Sequence, residues 1–329
     1  MTKSTFKLLL AAGVTALGLG LVVVPGAAQA QAFPNRPVRV IISFTAGSST
    51  DIVGRVVFEK VAREWGQPVV FDNRGGAGGS IGANAVVTAQ PDGYTLLIDS
   101  AAHSITPAMY AKLPYDTLKD FTDIAGLAIQ PNVLVVPLSS PYKSVMDLVN
   151  GAKAKPGAIN FASAGVGSGT HLNLEKFINA ANIKVTHVPY KGTPEVLSNL
   201  LSGSVDAYWG PISATMAQVT GGKLRALAVS TPKRSSQLPD LPTTGEAGVP
   251  NADAPLWFGV WGPKGMSHEL TNKIAADVHK ALIDPEVKSK LGALGNDVMD
   301  MSPEQFSKFV REEIVTYGKL IKAAGITPQ

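Results

Sequence analysis

The chain contains no cysteine, which excludes a disulfide framework, thiolate metal sites and a lipid-modified N-terminal Cys. Histidine is scarce as well: there are five, none in an H-E-x-x-H motif or an i,i+4 pair, so nothing in their spacing supports a metal centre. Charge of one sign is also missing. Lys and Arg total 29 against 25 Asp and Glu, scattered without the basic stripe or interleaved aromatics that nucleic-acid binding needs. Beyond the first residues no apolar run is long enough to span a bilayer, and no internal repeat or low-complexity block is visible. No G-x-G-x-x-G fingerprint occurs, which removes the common signal for a dinucleotide fold; no cofactor is expected.

What is present begins with an address. Lys3 and Lys7, the apolar stretch Leu8 to Val24 and the small-residue site Ala28-Gln29-Ala30 have the three parts of a secretory signal, so residues 1–30 are expected to be removed on export to the periplasm. The apolar stretch ends in Pro25-Gly26, without a basic stop, which argues against a membrane anchor. The chain from Gln31, about 299 residues with a net charge near +2, has room for two domains.

The organising segment is Val38 to Arg63. Val38 to Phe44 is an apolar run of strand length, Thr45 to Thr50 a small polar turn, and Ile52, Val56, Val57 and Val61 follow a helical period. A loop at the carboxyl end of a strand that opens a helix offers unpaired N–H groups and a positive dipole end, which suits a carboxylate. Helix capping by Ser49 or Thr50 alone accounts for the same residues. A glycine-rich turn follows at Arg74 to Gly82, where the glycines permit a sharp bend and close approach to a neighbour. Tyr94 to Ile98 reads as a strand ending in the polar loop Asp99 to Ser104.

Thr122 to Ile129 and Val133 to Val136 flank Gln130-Pro131-Asn132, expected to be the first crossover into a second lobe. There the alternation restarts: helix Ser144 to Ala154, strand Ile159 to Ala162, loop Ser163 to Gly169, helix Thr170 to Ala181, strand Val185 to Val188, helix Pro194 to Leu201, strand Val205 to Tyr208, and a last strand Leu224 to Val229. Trp257 to Trp261 reads as the return crossover, with Trp257 and Trp261 on one face as packing. Ser267 and Ser302 cap two final helices. Strands alternating with helices predict an α/β protein whose sheets are mostly parallel.

Successive blocks then resemble one family. Asn35-Arg36-Pro37-Val38-Arg39-Val40-Ile41, Ala46 to Asp51, Asn73-Arg74 with Gly76 to Gly79, Pro91-Asp92-Gly93-Tyr94, His187-Val188-Pro189-Tyr190-Lys191-Gly192 and Gly222 to Val229 look like the Bug family, the periplasmic solute-binding proteins of tripartite tricarboxylate transporters. The resemblance implies a type II periplasmic-binding-protein fold of the Venus flytrap kind, two lobes joined by two crossovers. Lobe 1 would comprise residues 33–130 and 256–329 and lobe 2 residues 131–255, with hinges near Gln130 to Val133 and Pro255 to Phe258. It also implies a di- or tricarboxylate, aromatic acid or acidic amino acid, held by the first loop and ordered waters and delivered to membrane subunits of the transporter; the protein itself is expected to be a monomer. Two departures are Ser48, where a second glycine is common, and the paired aromatics Tyr208 and Trp209, which suggest an aromatic acid.

The expected ligand set is Ala46, Gly47, Ser48, Ser49 and Thr50 from the first loop, His103 and Ser104 from the Asp99 loop, and Ser163, Gly165, Ser168, Thr170 and Asp206 from the second lobe. His171 is read as structural. Ser168 and His171, three apart at a helix start, fit capping better than a nucleophile and base. A sensor that reports to a membrane signalling protein fits the same residues as a transport receptor.

Overall fold

Val-Arg-Val-Ile-Ile, β-branched at every apolar position, forms the strand Val38–Ile42 (β1) and passes through a short loop into the helix Ser49–Trp65 (α1). Val53, Val57 and Val61 are buried along one face of α1, and the helix stops at Gly66 in the left-handed conformation. The computed structural model describes residues 33–323 and 325–328, so the expected export signal lies outside the described residues. The remaining strands in chain order are Val69–Asn73 (β2), Thr95–Ser100 (β3), Phe121–Gln130 (β4), Asn132–Pro137 (β5), Asn160–Ser163 (β6), Thr186–Pro189 (β7), Ala207–Pro211 (β8), Leu224–Val229 (β9), Leu256–Pro263 (β10) and Asp297–Val298 (β11). The helices after α1 are Ser80–Val87 (α2), Ala102–Met109 (α3), Val145–Ala154 (α4), Gly169–Ala181 (α5), Thr193–Leu201 (α6), Ile212–Thr220 (α7), His268–Ile283 (α8), Pro285–Ala293 (α9) and Pro303–Ala323 (α10).

Two sheets result, ordered β11-β4-β10-β3-β1-β2 and β7-β6-β8-β5-β9. This is the expected two-lobed α/β architecture, in which β4 leads through Pro131 into β5, and β9 returns through residues 230–255 to β10. The expectation of mostly parallel sheets is corrected. β1 is parallel to β2 and β3, and β6 to β7 and β8, but β5 and β10 are antiparallel to both of their neighbours. The reason is the traffic between lobes. Strands that end at the gap between the sheets run one way, and the two that enter a lobe from the other must run against them.

Strand alternation divides the second lobe's core. Leu134, Phe161, Phe177 and Trp209 pack on one face of the sheet, and Val133, Val135, Tyr208 and Ile212 on the other. Trp209 is therefore core, stacked edge-on against Phe177, and provides no surface for an aromatic ligand. In the first lobe Trp257 and Trp261 share a face as expected and pack on Phe306 of α10, with their indole N–H groups donating to Glu313 and Asp123. The expected hinge segments fall where β4 gives way to β5 and where β10 begins. There Asn132 N donates to Ser230 Oγ (2.9 Å), Ser230 N to Asn132 O (2.9 Å), and Ala254 N to Ser230 O (2.8 Å), which ties the two crossings together.

Candidate functional site

The carboxyl ends of β1 and β3 face those of β6 and β8 across a small cavity. The first lobe lines it with Phe44, Ser48, Ser49, Thr50 and Ser100, the second with Ala164, Ser168, Gly169, Thr170, Thr193 and Pro211, and the crossover with Leu256. None of these side chains is charged. Three helix starts, those of α1, α5 and α6, reach the cavity through Ser49, Gly169 and Thr193.

Two of those starts are built alike. Thr45 to Asp51 in the first lobe and Gly165 to His171 in the second follow the same plan, although their sequences share only Gly, Ser and Thr at matching places. Ser48 N donates to Thr45 O (3.0 Å) and Ser168 N to Gly165 O (3.1 Å). Gly47 and Gly167 stand at φ 78° and 81°, and Ser48 and Ser168 cap their helices at φ −71° and −72°. Each cap hydroxyl accepts from the N–H three residues on, Asp51 at 3.3 Å and His171 at 3.2 Å. That third residue reaches back in both: Gly47 N donates to Asp51 Oδ2 (2.9 Å) and Gly167 N to His171 Nδ1 (3.3 Å). Helical geometry leaves the N–H groups of Ser49 and Thr50, and of Gly169 and Thr170, without intrahelical acceptors, and all four residues line the cavity. Two dipole ends of positive sign thus face each other across one small space.

The nearby charges are turned away. Asp51 is buried, and its carboxylate is consumed by Gly47 N, Arg55 Nε (2.7 Å) and Asn73 Nδ2 (3.0 Å). His171 stacks on His187 with ring centroids 4.1 Å apart, and its Nε2 lies 3.3 Å from Glu175. Burial, followed by the adjacent His171 ring, pushes His187 down to about 3, so at neutral pH it is uncharged and sits 2.6 Å from Ser163 Oγ.

Of the expected ligand set, Ser48, Ser49, Thr50, Ser168 and Thr170 line the cavity. The others are placed elsewhere. Ala46 and Gly47 are exposed at its edge, and Gly47 approaches Pro194 of the second lobe. Ser163 lies beneath the loop, where its hydroxyl takes the Gly165 N–H (3.1 Å), while Gly165 supplies the turn at φ 116°. His103 and Ser104 are corrected more sharply. Strand β3 runs on to Ser100 and α3 starts at Ala102, so both belong to the first helical turn and point into the core. His103 is packed between Phe121 and Trp261, and burial pushes its pKa down to about 3. Asp206 precedes β8 at the sheet's other end, where it accepts from Asn160 N (2.7 Å), so it is remote from the cavity. The lining residues absent from the expected set, among them Phe44, Ser100, Ala164 and Pro211, sit at or just after strand carboxyl ends. That position is the signal that could have found them.

The family described as "Tripartite tricarboxylate transporter family receptor" matches residues 53–326 of the chain. The structure of periplasmic binding protein BugD superposes with a TM-score of 0.87 at 33% identity, covering 90% of this chain and 100% of that one. Rpa4515 of R. palustris with adipate gives 0.87 at 34% over 90% and 100% of the two chains. MatC from Rhodopseudomonas palustris with bound malate gives 0.84 at 31% over 88% and 100%. These relatives are binding proteins, and a match over most of the length at such identity places the chain among them rather than among hydrolases. The protein belongs to the tripartite tricarboxylate transporter receptor family.

Proposed function

We propose that this protein captures a small organic carboxylate between its lobes, in the periplasm after removal of an export signal, and delivers it to the membrane subunits of a tripartite tricarboxylate transporter. The observation that supports this most is the pair of like-built helix starts aimed at one cavity without a charged side chain in its wall. Each dipole end contributes about 0.3–1 kcal/mol to holding an anion, up to about 2 in partly buried geometry, and each hydrogen bond to a charged group about 1.5–3 kcal/mol. Ser48, Ser49 and Thr50 hold one carboxylate; Ser168, Thr170 and Thr193 face the far end of the ligand.

The cavity's size and wall narrow the class. Trp209 lies in the core and the cavity is cramped, so a short aliphatic acid suits it better than an aromatic one. Because no carboxylate lines it, an ammonium would be desolvated without a counter-charge. Succinate or malate should therefore raise the melting temperature, and aspartate, of equal length, should do so much less. At about 100 times Kd a ligand adds about 2.7 kcal/mol, which a thermal-shift titration resolves. Aspartate matching succinate would refute this reading of the cavity wall, and no shift with any acid would refute the proposed function.

A further inference from the structure

The glycine-rich segment after β2 stands outside the cavity wall, yet it is one of the places where the two lobes touch. A Cβ on Gly78 would lie 2.1 Å from the carbonyl oxygen of Val166, and one on Gly165 would lie 3.4 Å from Gly78 N. Beside this contact Tyr110, the residue that ends α3, donates its hydroxyl proton to Val166 O at 3.0 Å. Gly167 completes the clasp, since a Cβ there would meet Tyr110 Cε2 at 3.1 Å. Val166 belongs to the loop that carries the cap of α5, so first-lobe groups grip the backbone that aims the second lobe's helix start at the cavity.

We infer that Gly78 and Tyr110 form the latch of the closed lobes, setting how long an acid stays in the cleft rather than which acid enters. This rests on the binding role proposed above. Neither residue lines the cavity, and Tyr110 provides the side-chain hydrogen bond to Val166 that must break before the lobes can part. Gly78 is required because only a residue without Cβ lets the two backbones come this close.

The test uses the tightest binder among malate, succinate and adipate, with stopped-flow release rates and calorimetric affinities for the wild type, Tyr110→Phe, Gly78→Ala and Gly66→Ala. Gly66 is the matched control: its φ of 62° equals that of Gly78, so alanine meets the same backbone strain, but nothing lies within 4 Å of its Cβ. Tyr110→Phe should speed release about three- to tenfold, the weight of one neutral hydrogen bond. Gly78→Ala should weaken binding about a hundredfold or more, while Gly66→Ala, with a similar loss of melting temperature, should bind like the wild type. Equal affinities for Gly78→Ala and Gly66→Ala, or an unchanged release rate in Tyr110→Phe, would overturn the latch while leaving the binding role intact. A wild type that binds none of the three acids would overturn the binding role and the latch with it.

Discussion

Replacing Ser168 by aspartate should abolish acid binding while leaving the fold as stable as before, or more so. Aspartate caps a helix as well as serine does, and its charge favours the positive end of α5, so the bond now made by His171 N to Ser168 Oγ survives. A bound carboxylate, however, would face a like charge at about 4 Å, which at an effective dielectric near 20 costs about 4 kcal/mol, roughly a thousandfold in affinity. Ser48→Asp, at the matching position in the first lobe, should also abolish binding, but there the added carboxylate stands beside the buried Asp51 and should lower the melting temperature as well. Calorimetry and thermal melts on both variants check this. Affinity within threefold of the wild type in either one would show that its helix start does not hold the anion.

A second large effect is expected beneath the site. Asp99, at the end of β3, is fully buried; Ser43 Oγ (2.5 Å) and Ser100 N (2.7 Å) donate to its Oδ1, and His103, itself held neutral by burial, is 3.8 Å from Oδ2. Burial pushes its pKa from 3.8 up to about 7, outweighing the two hydrogen bonds. Between pH 4 and 7 the unfolded chain has already released this proton and the folded one has kept it, so folding loses stability as pH rises through that window. The loss approaches a few kcal/mol, at most about 4, and is complete above pH 7. Asp99→Asn keeps an acceptor for Ser43 and Ser100 and cannot ionise. Its melting temperature should exceed that of the wild type clearly at pH 8, with the gap closing towards pH 4. A gap that does not change with pH would contradict this account of Asp99.

Much of this was legible in the chain because local rules and global fold agree. The Pro194 start of α6 and the Ser267 cap follow from side-chain chemistry that acts within a few residues, whereas the cap of α1 is Ser48 and not the expected Ser49 or Thr50. What escaped depends on direction. Nothing in Val133 to Val136 says that β5 enters its sheet against its neighbours, and nothing in Asp206 says at which end of β8 it lies. His103 was misplaced because a polar run, Asp99 to Ser104, resembles a loop, whereas here strand and helix meet with Ala101 alone between them. The likeness of the two helix starts was hidden because Asp51 and His171 do one job, accepting a glycine N–H, with different chemistry.

The central claim is that backbone donors at facing helix starts recognise a carboxylate without a metal. Calorimetry after treatment with a chelator, titrating malate, succinate and adipate alongside the same molecules with one carboxylate converted to an amide, tests it most directly. The account predicts binding of at least one acid that survives the chelator and weakens about ten- to a hundredfold in its amide, the weight of one charge-assisted hydrogen bond or somewhat more. Equal affinity for acid and amide, or binding that disappears with the chelator, would contradict it.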